Sequence, residues 1–168
     1  IGPDNIDIVV TELDALKNVD FETREIRPEH HQLVMVRIGT CGGLQPFVPT
    51  GSSIVSEKSI GFDGVLNWYA DRDKVADLEF EKALTEYIKY PEKAAAPYVV
   101  SADEELAARI CGDDMVMGVT ISAVGFYGPQ GREVRLKIAS PGINQRIESF
   151  EYKGSKITNY EMESAPLA

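Results

Sequence analysis

The sequence predicts a single α/β domain with a mostly parallel or mixed sheet. Three observations carry that expectation. Apolar runs at residues 33–38 and 115–123, the first mostly β-prone, have the length of buried strands. Residues 4–17 and 76–90 place apolar side chains at helical spacing. The two kinds of segment alternate along 168 residues with no internal repeat or obvious linker, as they do where helices cover a sheet.

Taken in order, Ile6, Val9, Val10, Leu13 and Leu16 give the first helix its stripe, and Asp4, after Gly2-Pro3, is placed to cap it. Residues 19–31 are charged and aperiodic, an exposed connection with room for a short strand. Residues 33–38 read as a buried strand running into a glycine turn. Pro46 and Pro49 forbid a helix after that turn, and 53–58 read as the next strand. In the helix at 76–90, Leu78, Leu84, Tyr87 and Ile88 share a broad face. Residues 97–100 suggest a short strand. Ser101 with Glu104 three residues on is a capping-box signal for a helix to residue 110. The strand at 115–123 leads into a Gly/Pro-rich loop at 125–131. A helix at 143–150 ends near Gly154, a strand follows at 157–160, and 161–168 open a further helix whose first turn must hold Pro166.

At roughly 150 residues per domain, the length is that of one domain spanning residues 1–168, able to bury a core without disulfides or metal. Composition is that of a globular chain, 43% hydrophobic and 26% charged. No apolar run approaches the ~20 residues of a membrane-spanning helix. Seventeen basic against 27 acidic residues give a net charge of −10, which argues against polymeric nucleic acid and anionic membranes as partners. A small phosphate ligand, held by one or two arginines, is compatible with that charge. Cys41 and Cys111, far apart, read as reduced thiols of a cytoplasmic protein. The start at Ile1 and the final helix that opens as the sequence stops lead to the expectation of a longer protein.

Three clusters could carry chemistry. Arg37-Ile38-Gly39-Thr40-Cys41-Gly42-Gly43 lies at the carboxyl end of a predicted strand, where open α/β sheets place ligands. Glycines let backbone N–H groups approach an anion, Arg37 adds a planar fork of donors and Thr40 a hydroxyl. The plain structural alternative is a glycine turn with Arg37 in a salt bridge. In Phe126-Tyr127-Gly128-Pro129-Gln130-Gly131-Arg132, Gln130 and Arg132 can read a base edge bearing both carbonyl and N–H groups, and Phe126 or Tyr127 can stack on its face. The alternative is a polar surface loop. In Asn159-Tyr160-Glu161-Met162-Glu163-Ser164, two carboxylates can accept sugar hydroxyls with Met162 packed on the sugar, or can cap a helix start. His30-His31 lack a third ligand and are not expected to hold a metal. Asp71-Arg72-Asp73-Lys74 reads as a solvated run, and Trp68 as a packing residue.

These clusters, in this order, resemble the nucleoside phosphorylase superfamily and in particular its uridine phosphorylase branch. RIGTCGG (37–43) is similar to the family's phosphate and base strand-turn, FYGPQGR (126–132) to the uridine phosphorylase base loop, and YEMES (160–164) to the E-M-E ribose motif. Asp63-Gly64 and residues 76–80 resemble further family text, and Ile1-Gly2-Pro3 the middle of a Gly-x-Gly loop. Cys41 and Gly43 stand where bacterial relatives commonly have threonine and alanine. Gly128-Pro129 inverts the usual Pro-Gly, and Gly131 stands where glutamate is frequent.

The resemblance implies a mixed sheet forming a distorted barrel flanked by helices. It implies phosphorolysis of uridine to uracil and ribose 1-phosphate, with inorganic phosphate as co-substrate and no metal or organic cofactor. Arg37, Gly39 and Thr40 would hold phosphate. Cys41, Gly42, Phe126, Gln130 and Arg132 would surround the base. Glu161, Met162 and Glu163 would hold the ribose. Arg37, Thr40, Gln130, Arg132 and Glu163 would act in catalysis. A homo-oligomer, a dimer or trimer of dimers, is implied, as is the absence of the family's first strands and C-terminal helix from these residues. Three further possibilities are a purine nucleoside phosphorylase or nucleosidase, a nucleoside- or phosphate-binding relative without catalysis, and an inert structural fragment.

Overall fold

A computed structural model describes residues 2–168; Ile1, the first of the three residues expected to form the middle of a Gly-x-Gly loop, lies outside the described residues. The elements follow in order: α1 (Pro3–Asn18), β1 (Val19–Asp20), β2 (Glu25–Ile26), β3 (Gly42–Gly43), β4 (Ser53–Gly61), α2 (Leu78–Ile88), β5 (Tyr98–Ser101), α3 (Glu104–Ile110), β6 (Met115–Ser122), α4 (Ile143–Ser149), β7 (Glu151–Tyr152), β8 (Ser155–Glu161) and α5 (Ser164–Leu167). The main sheet runs β3-β8-β6-β4-β5, with β7 hairpinned onto β8. Its centre is parallel, β6 lying between β4 and β8, and its edges β3 and β5 are antiparallel. The sheet is therefore mixed, as expected, but open; it does not close into the distorted barrel, because β3 and β5 each end the strand order without pairing to one another.

One face of the sheet packs under α2 and α4. Ile60, Val119, Ile121 and Ile157 from the strands meet Phe80, Leu84 and Ile88 of α2 and Ile143 and Ile147 of α4, closed by Phe150. The parallel strands alternate away from this core into a polar ladder. Ser56 Oγ and Thr120 Oγ1 lie 2.6 Å apart, and Thr120 donates to Asn159 Oδ1 at 3.0 Å. Hydroxyls and an amide that satisfy one another can be buried at little cost.

The helices form largely where periodicity places them, with corrected ends. Gly2 precedes α1 and Pro3 occupies its first turn, so Asp4 is a first-turn acid and not the cap. In α2, Asp77 caps by accepting from the Phe80 N–H; Phe80, Leu84 and Ile88 are the buried face, while Leu78 and Tyr87 are half exposed. Asp103, not Ser101, caps α3, because Ser101 is engaged as the last residue of β5. Helix α4 stops at Ser149, and Gly154 instead turns the β7–β8 hairpin at φ +86°. The charged stretch after α1 contains the small β1–β2 hairpin.

The largest departure is residues 33–38, which form no strand. Their exposure alternates, with Leu33, Met35 and Arg37 half-buried and Val34, Val36 and Ile38 exposed, Ile38 to 94%. The chain is extended there, but no ladder partner lies beside it among the described residues, so only Gly42–Gly43 joins the sheet. Trp68 is 90% exposed and is not a packing residue here. Within the run at 71–74, Arg72 is not solvated; it donates from Nη2 to Glu81 Oε1 at 2.7 Å and fixes the start of α2.

Leu84 is fully buried at the centre of the α2 face, whereas Leu136 is 73% exposed. Leu84→Ala is expected to lower the unfolding free energy by about 2–5 kcal/mol and Leu136→Ala by less than about 0.5 kcal/mol. Urea titration of both variants checks this.

Candidate active site

Parallel β6 and β8 end together, Ser122 opposite Glu161, and the three sequence clusters gather around that edge. The first group is ionic. Glu161 closes β8 with a carboxylate that accepts the N–H groups of Glu163 at 2.8 Å and Ser164 at 2.9 Å, and the Ser164 hydroxyl at 2.6 Å. It therefore does the work of a helix-start carboxylate for α5. Arg37 reaches it from the extended segment, with Nη1 3.2 Å from Glu161 Oε2, and its Nη2 donates to Glu163 Oε2. The other oxygen of Glu163 accepts the Gly2 N–H at 2.8 Å. Burial pushes the Glu163 carboxyl upward, but the Gly2 N–H and the Arg37 guanidinium outweigh it and hold the pKa below the ordinary 4.5. Arg37 folds back over Gly39 so closely that a Cβ there would lie 2.7 Å from both Nη atoms, which only glycine avoids.

Cys41 stands beside this group. Burial and the Glu161 charge push its thiol up, while a hydrogen bond with Asn159 and the Arg37 charge act against them. Both cysteines are free thiols. Thr40 is exposed, and Met162 is half-buried between the two glutamates.

The second group is the loop after β6. Residues Gly128–Gln130 make one 3-10 turn, ended by Gly131 at φ +67°. Gln130 is 3% exposed. Arg132 donates from Nη1 to the Phe126 carbonyl at 2.7 Å and to Gln130 Oε1, and its guanidinium stacks 4.1 Å over the Phe126 ring. Phe126 and Tyr127 meet edge to face, both half exposed. Gly42, paired with Tyr160 across β3–β8, faces this loop: a Cβ on Gly42 would lie 3.4 Å from Arg132 Nη2.

Arg37, Cys41, Glu161 and Glu163 thus form one cluster, Phe126, Gln130, Arg132 and Gly42 another, and the β3–β8 pairing joins them. The salt-bridge and helix-start readings of Arg37 and Glu161 hold in this structure, and they coexist with a site. Other residues near these clusters were not among the expected site residues. Asp63, just after β4, accepts the Val65 N–H at 2.8 Å and the Tyr98 hydroxyl at 2.9 Å, its second oxygen is buried without a partner, and burial pushes its pKa up. Asn144 sits on an element expected only as a helix, and Asn159 opens the third cluster without an assigned role.

Arginines, glycines and carboxylates at the strand ends of an open α/β sheet have the donors and acceptors that a small anion and a polyol would need. The chain belongs to the phosphorylase superfamily, whose family model matches residues 1–168. It is 29% identical over 140 residues to a uridine phosphorylase of Thermococcus kodakarensis and 31% identical over 141 residues to that of Escherichia coli; each match covers 79% of this chain, and 40% and 45% of the relative. The chain therefore spans about half the length of the curated relatives it matches. Among solved structures, it superposes with a TM-score of 0.78 and 25% identity on a Trypanosoma brucei nucleoside phosphorylase described as showing uridine phosphorylase activity, covering 99% of this chain and 62% of that one.

A lowered Glu163 pKa has a definite consequence for stability. The ionised carboxyl favours the fold above about pH 4.5, and that contribution is lost as pH falls through the lowered value. Glu163→Gln is expected to be less stable than wild type by about 1–3 kcal/mol at pH 7, with the gap narrowing toward pH 4. Urea midpoints at the two pH values measure it.

Proposed function

We propose that the full-length protein is a nucleoside phosphorylase that cleaves uridine with inorganic phosphate to uracil and ribose 1-phosphate. The observation that carries this reading is the buried Gln130, held by Arg132 beside the Gly42 turn, in a loop whose residues face a pyrimidine's alternating carbonyl and N–H edge. The uridine phosphorylases among the matched relatives support the same substrate.

In this mechanism a phosphate oxygen attacks C1′ and the C1′–N1 bond breaks, its electron pair leaving on uracil. Gln130 and Arg132 donate to the oxygens where that charge collects, and Phe126 covers the ring. Arg37, Gly39 and Thr40 hold the phosphate below C1′, largely a positioning effect. Cys41 and Gly42 line the base side. Glu163 accepts the ribose hydroxyls and favours the cation-like sugar, Met162 packs on the ribose, and Glu161 keeps the turn in shape. An anion at Arg37 competes with Glu161 and Glu163 for the same donors, so phosphate arrival frees carboxylate oxygens for the sugar. The reading assigns no metal or organic cofactor, places the protein in the cytoplasm, and takes it to be a homo-oligomer, a dimer or a trimer of dimers. Among the described residues no helix is long and apolar enough to cross a membrane.

Phosphate-dependent loss of uridine, followed by ultraviolet absorbance with inosine as control, tests the reading. Turnover of uridine is expected; cleavage of inosine alone would discard the pyrimidine assignment. Gln130→Ala and Arg132→Ala are each expected to lower kcat about 10²–10³-fold with the fold intact. Glu163→Gln should impair turnover far more than Cys41→Ser, and equal effects would contradict the ribose assignment.

A further inference from the structure

The Gln130–Arg132 pair lies in an irregular loop, yet its geometry is fixed from outside. Asn144 is the second residue of α4 and half-buried. Its Nδ2 donates to the Gln130 carbonyl at 2.9 Å, and its Oδ1 accepts the Tyr160 hydroxyl at 3.2 Å. A carbonyl can only accept, so the amide has one workable orientation. Tyr160 is buried in the strand β8, and burial keeps its hydroxyl protonated and available as the donor.

The backbone after Gln130 passes directly over this amide. A Cβ on Gly131 would lie 2.7 Å from Asn144 Oδ1 and 2.8 Å from Nδ2, and Gly131 is in the left-handed region at φ +67°. The positive φ favours glycine there, and any side chain at 131 would push the Asn144 amide aside. The path then closes on itself. Tyr160 pairs with Gly42 across β3–β8, Gly42 faces Arg132 Nη2, and Arg132 bonds Gln130 Oε1. Asn144 is the link that ties the loop to the rigid strand.

We infer that Asn144 is a positioning residue, which anchors the Gln130 carbonyl to Tyr160 and thereby aims the Gln130–Arg132 pair at the nucleobase. The effect on substrate rests on the reading of that pair given above; the anchoring of the loop does not. Asn144 touches neither the phosphate nor the ribose residues, so its loss acts on the base alone.

The test uses the full-length protein with Asn144→Ala, the isosteric Asn144→Asp and Tyr160→Phe. The carboxylate of the Asp variant keeps an acceptor for Tyr160 but repels the Gln130 carbonyl. Asn144→Asp is expected to raise the uridine KM about tenfold while the phosphate KM stays within about twofold. In a Gln130→Ala background the same change should add less than it does in wild type, since the carbonyl anchor then positions Arg132 alone.

A second readout needs no turnover. The Gly131 and Arg132 amides donate to the carbonyls of Gly128 and Tyr127 at 3.0 and 2.9 Å. Their hydrogen exchange should accelerate in all three variants while amides in β6 keep their wild-type rates. A wild-type protein that cleaves no nucleoside would remove the proposed function, and the exchange experiment would still decide the anchoring. An unchanged uridine KM in an active enzyme, unchanged exchange at Gly131 and Arg132, or acceleration that spreads equally to β6 would each overturn the inference.

Discussion

Two buried carboxylates at the end of β8 are the constraint around which the site is arranged. Charges removed from water must be paired and hydrogen-bonded, or they neutralise. Glu161 meets that demand with the N–H groups that open α5, and Glu163 with Gly2 and Arg37. Parts of the chain distant in sequence are thereby drawn to one point: the start of α1, the extended segment that carries Arg37, and the end of the sheet. The segment 33–38 has no ladder of its own among the described residues, so the Arg37 ion pairs are what hold its end against β8.

That arrangement also gives the site its chemical logic. The donors an incoming anion would use are already engaged with the acceptors a sugar would use. On the proposed reading, exchange of Arg37 from carboxylate to phosphate would couple the two halves of a phosphorolytic substrate pair through one guanidinium. The base loop is built on the opposite principle. Its arginine is held by neutral groups, a carbonyl, an amide oxygen and an aromatic face, so no carboxylate among these contacts offsets its charge, which the proposed reading directs to a leaving base. Both groups meet across two residues of β3 paired with β8, and Gly42 brings the strand within contact of Arg132.

Much of the fold was legible because helical spacing and strand composition are local signals. Residues 4–17 and 76–90 became α1 and α2, and the apolar run at 115–123 became β6. Local signals fail where a partner decides. The run at 33–38 has strand composition, but a strand exists only beside another strand. Ser101 has capping chemistry, but Asp103 lies nearer the helix and takes the role. The three site clusters stood out as text because glycines, arginines and paired carboxylates are rarely adjacent without reason. Two of them turned out to serve structure as well, Arg37 as an ion-pair partner and Glu161 as a helix-start acceptor. Asn144 could not be read in advance, since an amide on a helix acquires meaning only when the fold brings it to residues 14 and 16 positions away in sequence; Asn159 and Tyr160 stood in the third cluster, but neither had a partner visible in the sequence.

The account's central claim is that the three clusters form one nucleoside site. The most direct measurement is a crystal structure of the full-length protein with uracil and ribose 1-phosphate bound. The account predicts uracil against the Phe126 ring, with Gln130 and Arg132 within about 3 Å of its polar edge, the ribose hydroxyls on Glu163, and the phosphate on Arg37. Uracil seated away from residues 126–132, or a phosphate that leaves Arg37 bound to both carboxylates, would contradict it.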